Sequence, residues 1–154
     1  MKTIVFFVAF GLTIISTLCC NNSQTKMPNK QLSSEKLADK QPSDEQVINL
    51  LKSFYIEYIT ELGAGSPDFE KLKAMRRKYC TTSLLRRMYK LDYDPIVDAQ
   101  DANIGWLHTL KVEKDSQNCS WYKASYVDTY DGTKKVIELK IVRDGEMYKI
   151  DTIR

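Results

Sequence analysis

Residues 121–153, WYKASYVDTYDGTKKVIELKIVRDGEMYKIDTI, decide the fold. Apolar and polar residues alternate from Trp121 to Thr129 and again from Lys135 to Arg143, where Ile137, Leu139 and Ile141 fall on one face. A period of two marks a half-buried strand, because successive side chains point to opposite faces of the pleat. Asp131-Gly132 and Asp144-Gly145 punctuate these runs, and an Asp-Gly pair supplies the positive φ that tight hairpins need. Met147 to Ile153 closes the chain as a last strand. Upstream, Trp106, His108, Leu110 and Val112 alternate with polar or smaller residues, and Asp115 to Asn118 make a turn. Four strands joined by short turns predict an antiparallel meander.

Before residue 101 the apolar period is helical. Ser43-Asp44-Glu45-Gln46 is a capping-box start, in which the Ser hydroxyl and the Gln amide each satisfy an orphan backbone donor of the first turn. Val47, Leu50, Leu51, Phe54 and Tyr58 then form an apolar stripe, and Gly63 ends the run. A second helix is expected after Ser66-Pro67-Asp68, with Pro at the first helical position and Phe69, Leu72, Met75 and Tyr79 as its stripe. A third, shorter one is expected from Ser83 to Tyr89, capped by Thr82. Three helices followed by a meander predict an α+β domain with the helices gathered on one face of the sheet.

The helix order, the segment DYDPIVDAQD at 92–101, the Tyr79-Cys80-Thr81 segment before Leu84-Leu85 and the ending YKIDTI at 148–153 carry a resemblance. Together they resemble the YbjP/YqhG-type domain of unknown function found in Bacteroides-type lipoproteins, itself similar to the nuclear-transport-factor-like (cystatin-like) superfamily. The resemblance implies a cone of curved four-stranded sheet around a long helix and a place in the cell envelope. It implies no reaction.

The N-terminus points to the same compartment. Thr3 to Leu18 is a charge-free run of sixteen residues after Met1-Lys2, and it leads into Cys19-Cys20. A spanning helix needs about 20 apolar residues, whereas a short basic start, a short apolar run and a small residue at its end make an export signal. Residues 1–19 are therefore expected to be a lipoprotein signal peptide. Cys20 is the expected lipid attachment point, because Cys19 is small at the cleavage position; Cys19, preceded by Leu18, is the alternative. Asn21 after the anchor resembles lipoproteins sorted to the outer membrane, facing the periplasm or the cell surface. Residues 20–42 are then the lipidated Cys and a polar tether, too poor in apolar groups to fold alone, and 43–154 the globular domain.

Composition narrows the partners. The whole chain carries 23 basic and 20 acidic residues, a balance too even for a nucleic-acid-binding domain. The expected partners are the membrane, through the lipid anchor, and an envelope protein or small ligand. No cofactor motif is present, and the Asp92–Asp101 segment lacks the spacing and central Gly of an EF-hand, so neither cofactor nor metal is expected. Its carboxylates are read as structural, with Asp98, Gln100 and Asp101 bonding to backbone amides. Cys80 and Cys119, the two thiols of the domain, are a disulfide candidate in an exported protein.

Two patterns remain. Between residues 70 and 90 stand eight basic residues against Glu70 alone, and Arg76, Arg77, Lys78, Arg86 and Arg87 form a candidate patch for an anionic surface. His108 is the only histidine; with Asp128 or Asp151 it could serve a small hydrolase or isomerase as general base. The reading preferred here is a noncatalytic, lipid-anchored binding module. That enzyme, and an immunity protein neutralising an envelope toxin, are the alternatives.

Overall fold

The computed structural model describes residues 43–154. The expected signal peptide, both candidate anchor cysteines and the tether lie outside the described residues.

Helix α1 spans Asp44–Leu62 and starts on the capping box that its sequence announces. The Ser43 amide donates to Gln46 Oε1 at 2.9 Å and the Gln46 amide donates to Ser43 Oγ at 3.2 Å. Val47, Leu51, Phe54, Tyr55, Tyr58 and Ile59 are its buried stripe. Fully burying one such side chain contributes about 1.5–3 kcal/mol, so this helix is the axis of the core. It ends at Gly63, where a Cβ would stand 3.0 Å from the carbonyl oxygens of Ala102 and Ile59. Only glycine lets the later chain pass so close to the helix end.

Helix α2 spans Phe69–Tyr79, and its cap is the Asp68 carboxylate, which accepts from the Glu70 and Lys71 amides. Pro67 therefore precedes the helix instead of opening it. Phe69 leaves the expected stripe: it is 65% exposed, whereas Leu72, Met75 and Tyr79 are buried. Helix α3 spans Thr82–Met88, and Thr81, not Thr82, caps it by accepting from the Leu84 amide.

The sheet is the expected meander. Strands β1 (Lys111–Lys114), β2 (Trp121–Val127), β3 (Lys134–Asp144) and β4 (Met147–Ile153) pair antiparallel in sequence order. Gly145, at φ +64°, supplies the left-handed turn between β3 and β4. Tyr122, Ala124 and Tyr126 of β2 and Ile137, Leu139 and Ile141 of β3 point inward against α1. The opposite face is charged. There Lys123 faces Glu138 across β2 and β3, and Arg154 donates to Glu138 at 2.7 Å. The result is an α+β domain with its helices N-terminal to the sheet, and helices and strands share one buried core.

One strand departs from expectation. Ile104–His108 is a short 3-10 helix, and β1 begins only at Lys111. The Asn103 side-chain oxygen accepts from the Gly105 amide at 2.8 Å, a local bond that competes with strand pairing. Trp106 is thereby turned inward, where it stacks on Tyr126 with centroids 4.5 Å apart.

A bulge on β4 holds α3 in place. Lys140 pairs with Thr152 and Ile141 with Ile150, so Asp151 is the extra residue. Its carboxylate accepts from Thr81 Oγ1 at 3.0 Å, the Thr81 amide donates to the Ile150 carbonyl at 2.9 Å, and Arg87 donates to the Asp151 carbonyl. Cys80 is drawn beside Ile150 by the same contacts.

This placement corrects the expected disulfide. Both thiols are free, Cys80 buried against β4 and Cys119 exposed in the β1–β2 turn. Strands β4 and β3 lie between them, and neighbouring strands are about 4.8 Å apart, whereas a bridge needs Cα atoms within about 7 Å. Burial also pushes the Cys80 thiol up to about 12. In the chain from Asn21, which lacks Cys19 and Cys20, an alkylating reagent at mildly alkaline pH is expected to label one thiol of the folded protein, at Cys119, and a second only after denaturation without reductant. Mass spectrometry reads the count, and no label in the denatured, unreduced protein would restore the bridge.

Candidate functional site

The polar centre of the domain is built by three side chains from three segments. Tyr58 comes from the buried stripe of α1 and Arg76 from the edge of the α2 stripe. Asp94 comes from the acidic segment. Tyr58 donates its hydroxyl hydrogen to Asp94 Oδ2, Arg76 Nη2 donates to the same oxygen at 2.8 Å, and Arg76 Nε donates to the Tyr58 hydroxyl. Asp94 Oδ1 accepts from the Ile96 amide at 3.0 Å. That bond, two residues on and across Pro95, is an Asx-turn.

The backbone completes a closed loop around this carboxylate. The Asp94 amide donates to the Ala99 carbonyl at 2.9 Å and the Ala99 amide returns a bond to the Asp94 carbonyl at 3.3 Å. Ile96 and Val97 are thereby driven into the core with no exposed surface, and the Tyr126 hydroxyl donates to the Val97 carbonyl. Asp98 takes the left-handed turn at φ 45° and pairs with Lys135. Backbone satisfaction in this segment thus rests on Asp94, not on the expected trio of Asp98, Gln100 and Asp101.

Chemically the cluster is quiet. Burial, and then the facing Asp94 carboxylate, push the Tyr58 hydroxyl far above the ordinary tyrosine range. Burial does the same to Tyr55 and Tyr126. A nucleophile needs the opposite shift, and a general base needs a free lone pair within reach of substrate. Asp94 spends its oxygens on Arg76, Tyr58 and Ile96, and Cys80 stays a thiol. Tyr55 Oη and Trp106 Nε1 are buried without a hydrogen-bond partner among the described residues.

The residues proposed for catalysis do not converge. His108 is exposed at the end of the 3-10 helix instead of sharing a strand face with Trp106 and Leu110. Asp128 accepts from the Tyr130 amide at 2.8 Å in the β2–β3 turn, and Asp151 serves the bulge. Neither is bonded to His108. Among the described residues, no three His, Cys, Asp or Glu side chains gather as a cation site.

The basic patch divides in two. Arg76 is committed to Asp94, Arg87 to Ser83 and the Asp151 carbonyl, and Lys78 lies over the Tyr79 ring at 4.7 Å. Arg77 and Arg86 carry no ion pair among the described residues. The Tyr58–Arg76–Asp94 centre itself escaped sequence reading, though it left a signal. Arg76 stands four residues after Leu72 and three before Tyr79, so a charge sits on the rim of an apolar stripe and calls for a buried partner.

No protein-family model matches the chain, and no match is found among functionally curated proteins. Among solved structures, a protein of unknown function from Bacteroides thetaiotaomicron is similar in fold, with a TM-score of 0.64 at 24% identity. The likeness covers 72% of this chain and 90% of that one. It supports the architecture and carries no activity with it.

The centre makes a contrast between two tyrosines and a carboxylate. Asp94→Ala leaves Arg76 without its counter-ion and the Tyr58 hydroxyl hydrogen and the Ile96 amide without an acceptor, and is expected to cost about 3 kcal/mol. Tyr58→Phe should cost about 1 kcal/mol, whereas Tyr55→Phe, which removes an unpaired hydroxyl, should be neutral or stabilising. Urea unfolding of each variant measures the order, and a larger loss for Tyr55→Phe than for Tyr58→Phe would refute this assignment of roles.

Proposed function

We propose that the chain is a membrane-anchored envelope lipoprotein whose domain is a noncatalytic binding module for a partner protein or small ligand. One observation carries the anchor: the charge-free run Thr3–Leu18 meets Cys19-Cys20, and a polar tract separates that pair from the capping box at Ser43. With Cys20 lipidated, residues 21–42 act as the tether. A flexible coil of 22 residues spans roughly 26 Å, enough to hold the domain off the lipid surface. Two or more acyl chains make such attachment stable, where a single chain would be reversible.

The noncatalytic reading draws support from the interior. Its ionised groups neutralise one another at Asp94 and Arg76, its buried thiol and phenols stay protonated, and His108 stands outside the core. Binding would then fall to the surface.

Expression in a bacterial host with a clickable palmitate analogue tests the anchor. The chain should take up label and fractionate with membranes, Cys20→Ala should abolish both, and Cys19→Ala should retain them. Label lost with Cys19→Ala instead would move the anchor by one residue. An unlabelled chain released as soluble protein would overturn the lipoprotein reading.

A further inference from the structure

We propose that the segment Tyr89–Tyr93, with the adjoining flank of α2, is a docking face that rests on an anionic lipid surface. This deepens the anchored reading, which supplies such a surface within the reach of the tether.

The segment reads Tyr-Lys-Leu-Asp-Tyr, and all five residues are exposed. Tyr89 is 70%, Leu91 42% and Tyr93 46% exposed. The core could have hidden these groups, since it buries Ile96 and Val97 only a few residues later. The segment is also held in position. At its start, Met88 is buried and the Lys90 and Leu91 amides donate to the Arg87 and Met88 carbonyls. At its end, Asp94 is pinned to Arg76.

That pin sets the neighbours. At 100° per residue, Phe69, Lys73 and Arg77 follow Arg76 around the same flank of α2. Phe69 is exposed, and Arg77 has no ion pair among the described residues. At the other end, Arg86 lies one turn before Tyr89 and Lys90. Arg77, Arg86 and Lys90 thus have no ion pair among the described residues and stand near exposed aromatics in sequence, and Asp92 is the only acidic residue from 89 to 93.

Charge and chemistry choose the occupant. Tyrosine bodies favour the headgroup level, where an apolar ring and a polar tip are both accommodated, and cations beside them attract acidic headgroups. The expected patch of Arg76, Arg77, Lys78, Arg86 and Arg87 is thereby redrawn. Arg76 holds the face in shape, Arg87 fastens α3, and Lys90 with the two tyrosines joins the contact.

The test uses the chain from Asn21, which lacks both candidate anchor cysteines and keeps every described residue. In cosedimentation it should bind phosphatidylglycerol vesicles at low salt, bind phosphatidylcholine vesicles far less, and lose affinity as salt screens the charges. Each cation removed should weaken binding about fivefold, so neutralising all three with Arg77→Gln, Arg86→Gln and Lys90→Gln should cost on the order of a hundredfold. Tyr89→Ser with Tyr93→Ser should also weaken it. Lys140→Gln, on the opposite face of the sheet, should change affinity no more than any distant charge. Circular dichroism confirms the fold of each variant, and Lys90→Gln alone, on a fully surface residue, serves if the triple variant does not fold.

Absent or headgroup-independent binding, or binding indifferent to these residues, overturns the docking face. So does sedimentation showing that the face instead joins two copies of the chain. Because the anchor is absent from this protein, failure here leaves the palmitate result standing, and failure of the palmitate label leaves vesicle binding to be read by itself.

Discussion

One buried carboxylate organises this domain. An ionised Asp removed from water costs several kcal/mol unless its partners replace the lost hydration, and Asp94 meets that demand with Arg76, Tyr58 and the Ile96 amide. Each partner is committed in turn. Tyr58 fixes the rotation of α1 at its buried end, and Arg76 fixes the register of α2 against α1. The Ile96 amide fixes the turn that sends Ile96 and Val97 inward. Without the carboxylate, the chain between α3 and the sheet would have no reason to reverse where it does.

What was legible in the sequence follows from which forces are local. The capping box at Ser43, the alternation through Ile137, Leu139 and Ile141, and the Asp-Gly turns are written in adjacent residues. These gave the helices, the meander and the α+β class. Alternation around Trp106 misled, because an Asn side chain closing a turn on the Gly105 amide outweighs the pattern of a short run. The centre at Asp94 could not be read directly, since its partners lie 36 and 18 residues away. Its trace was a charge at the edge of an apolar stripe. The thiols failed for a similar reason: two cysteines in an exported chain say nothing of the strands that intervene between them in space.

The same geometry separates interior from surface. Inside, polar groups are paired with one another or held in their neutral forms, which stabilises a shape without poising an acid, base or nucleophile. Outside, Asp94 holds the Tyr89–Tyr93 segment from its far end, and the cations of α2 and α3 nearest it in sequence have no ion pair among the described residues. Under the proposed reading, the carboxylate that closes the core also sets the membrane-facing surface, and one residue links stability to placement at the envelope.

Native-state hydrogen exchange at the Ile96 and Ala99 amides tests that central role most directly. If Asp94 locks the segment into the core, both amides should exchange only through global unfolding, with the same protection as those of Leu51 and Phe54 in α1. Exchange through a local opening, at the low protection of an ordinary surface loop, would contradict it.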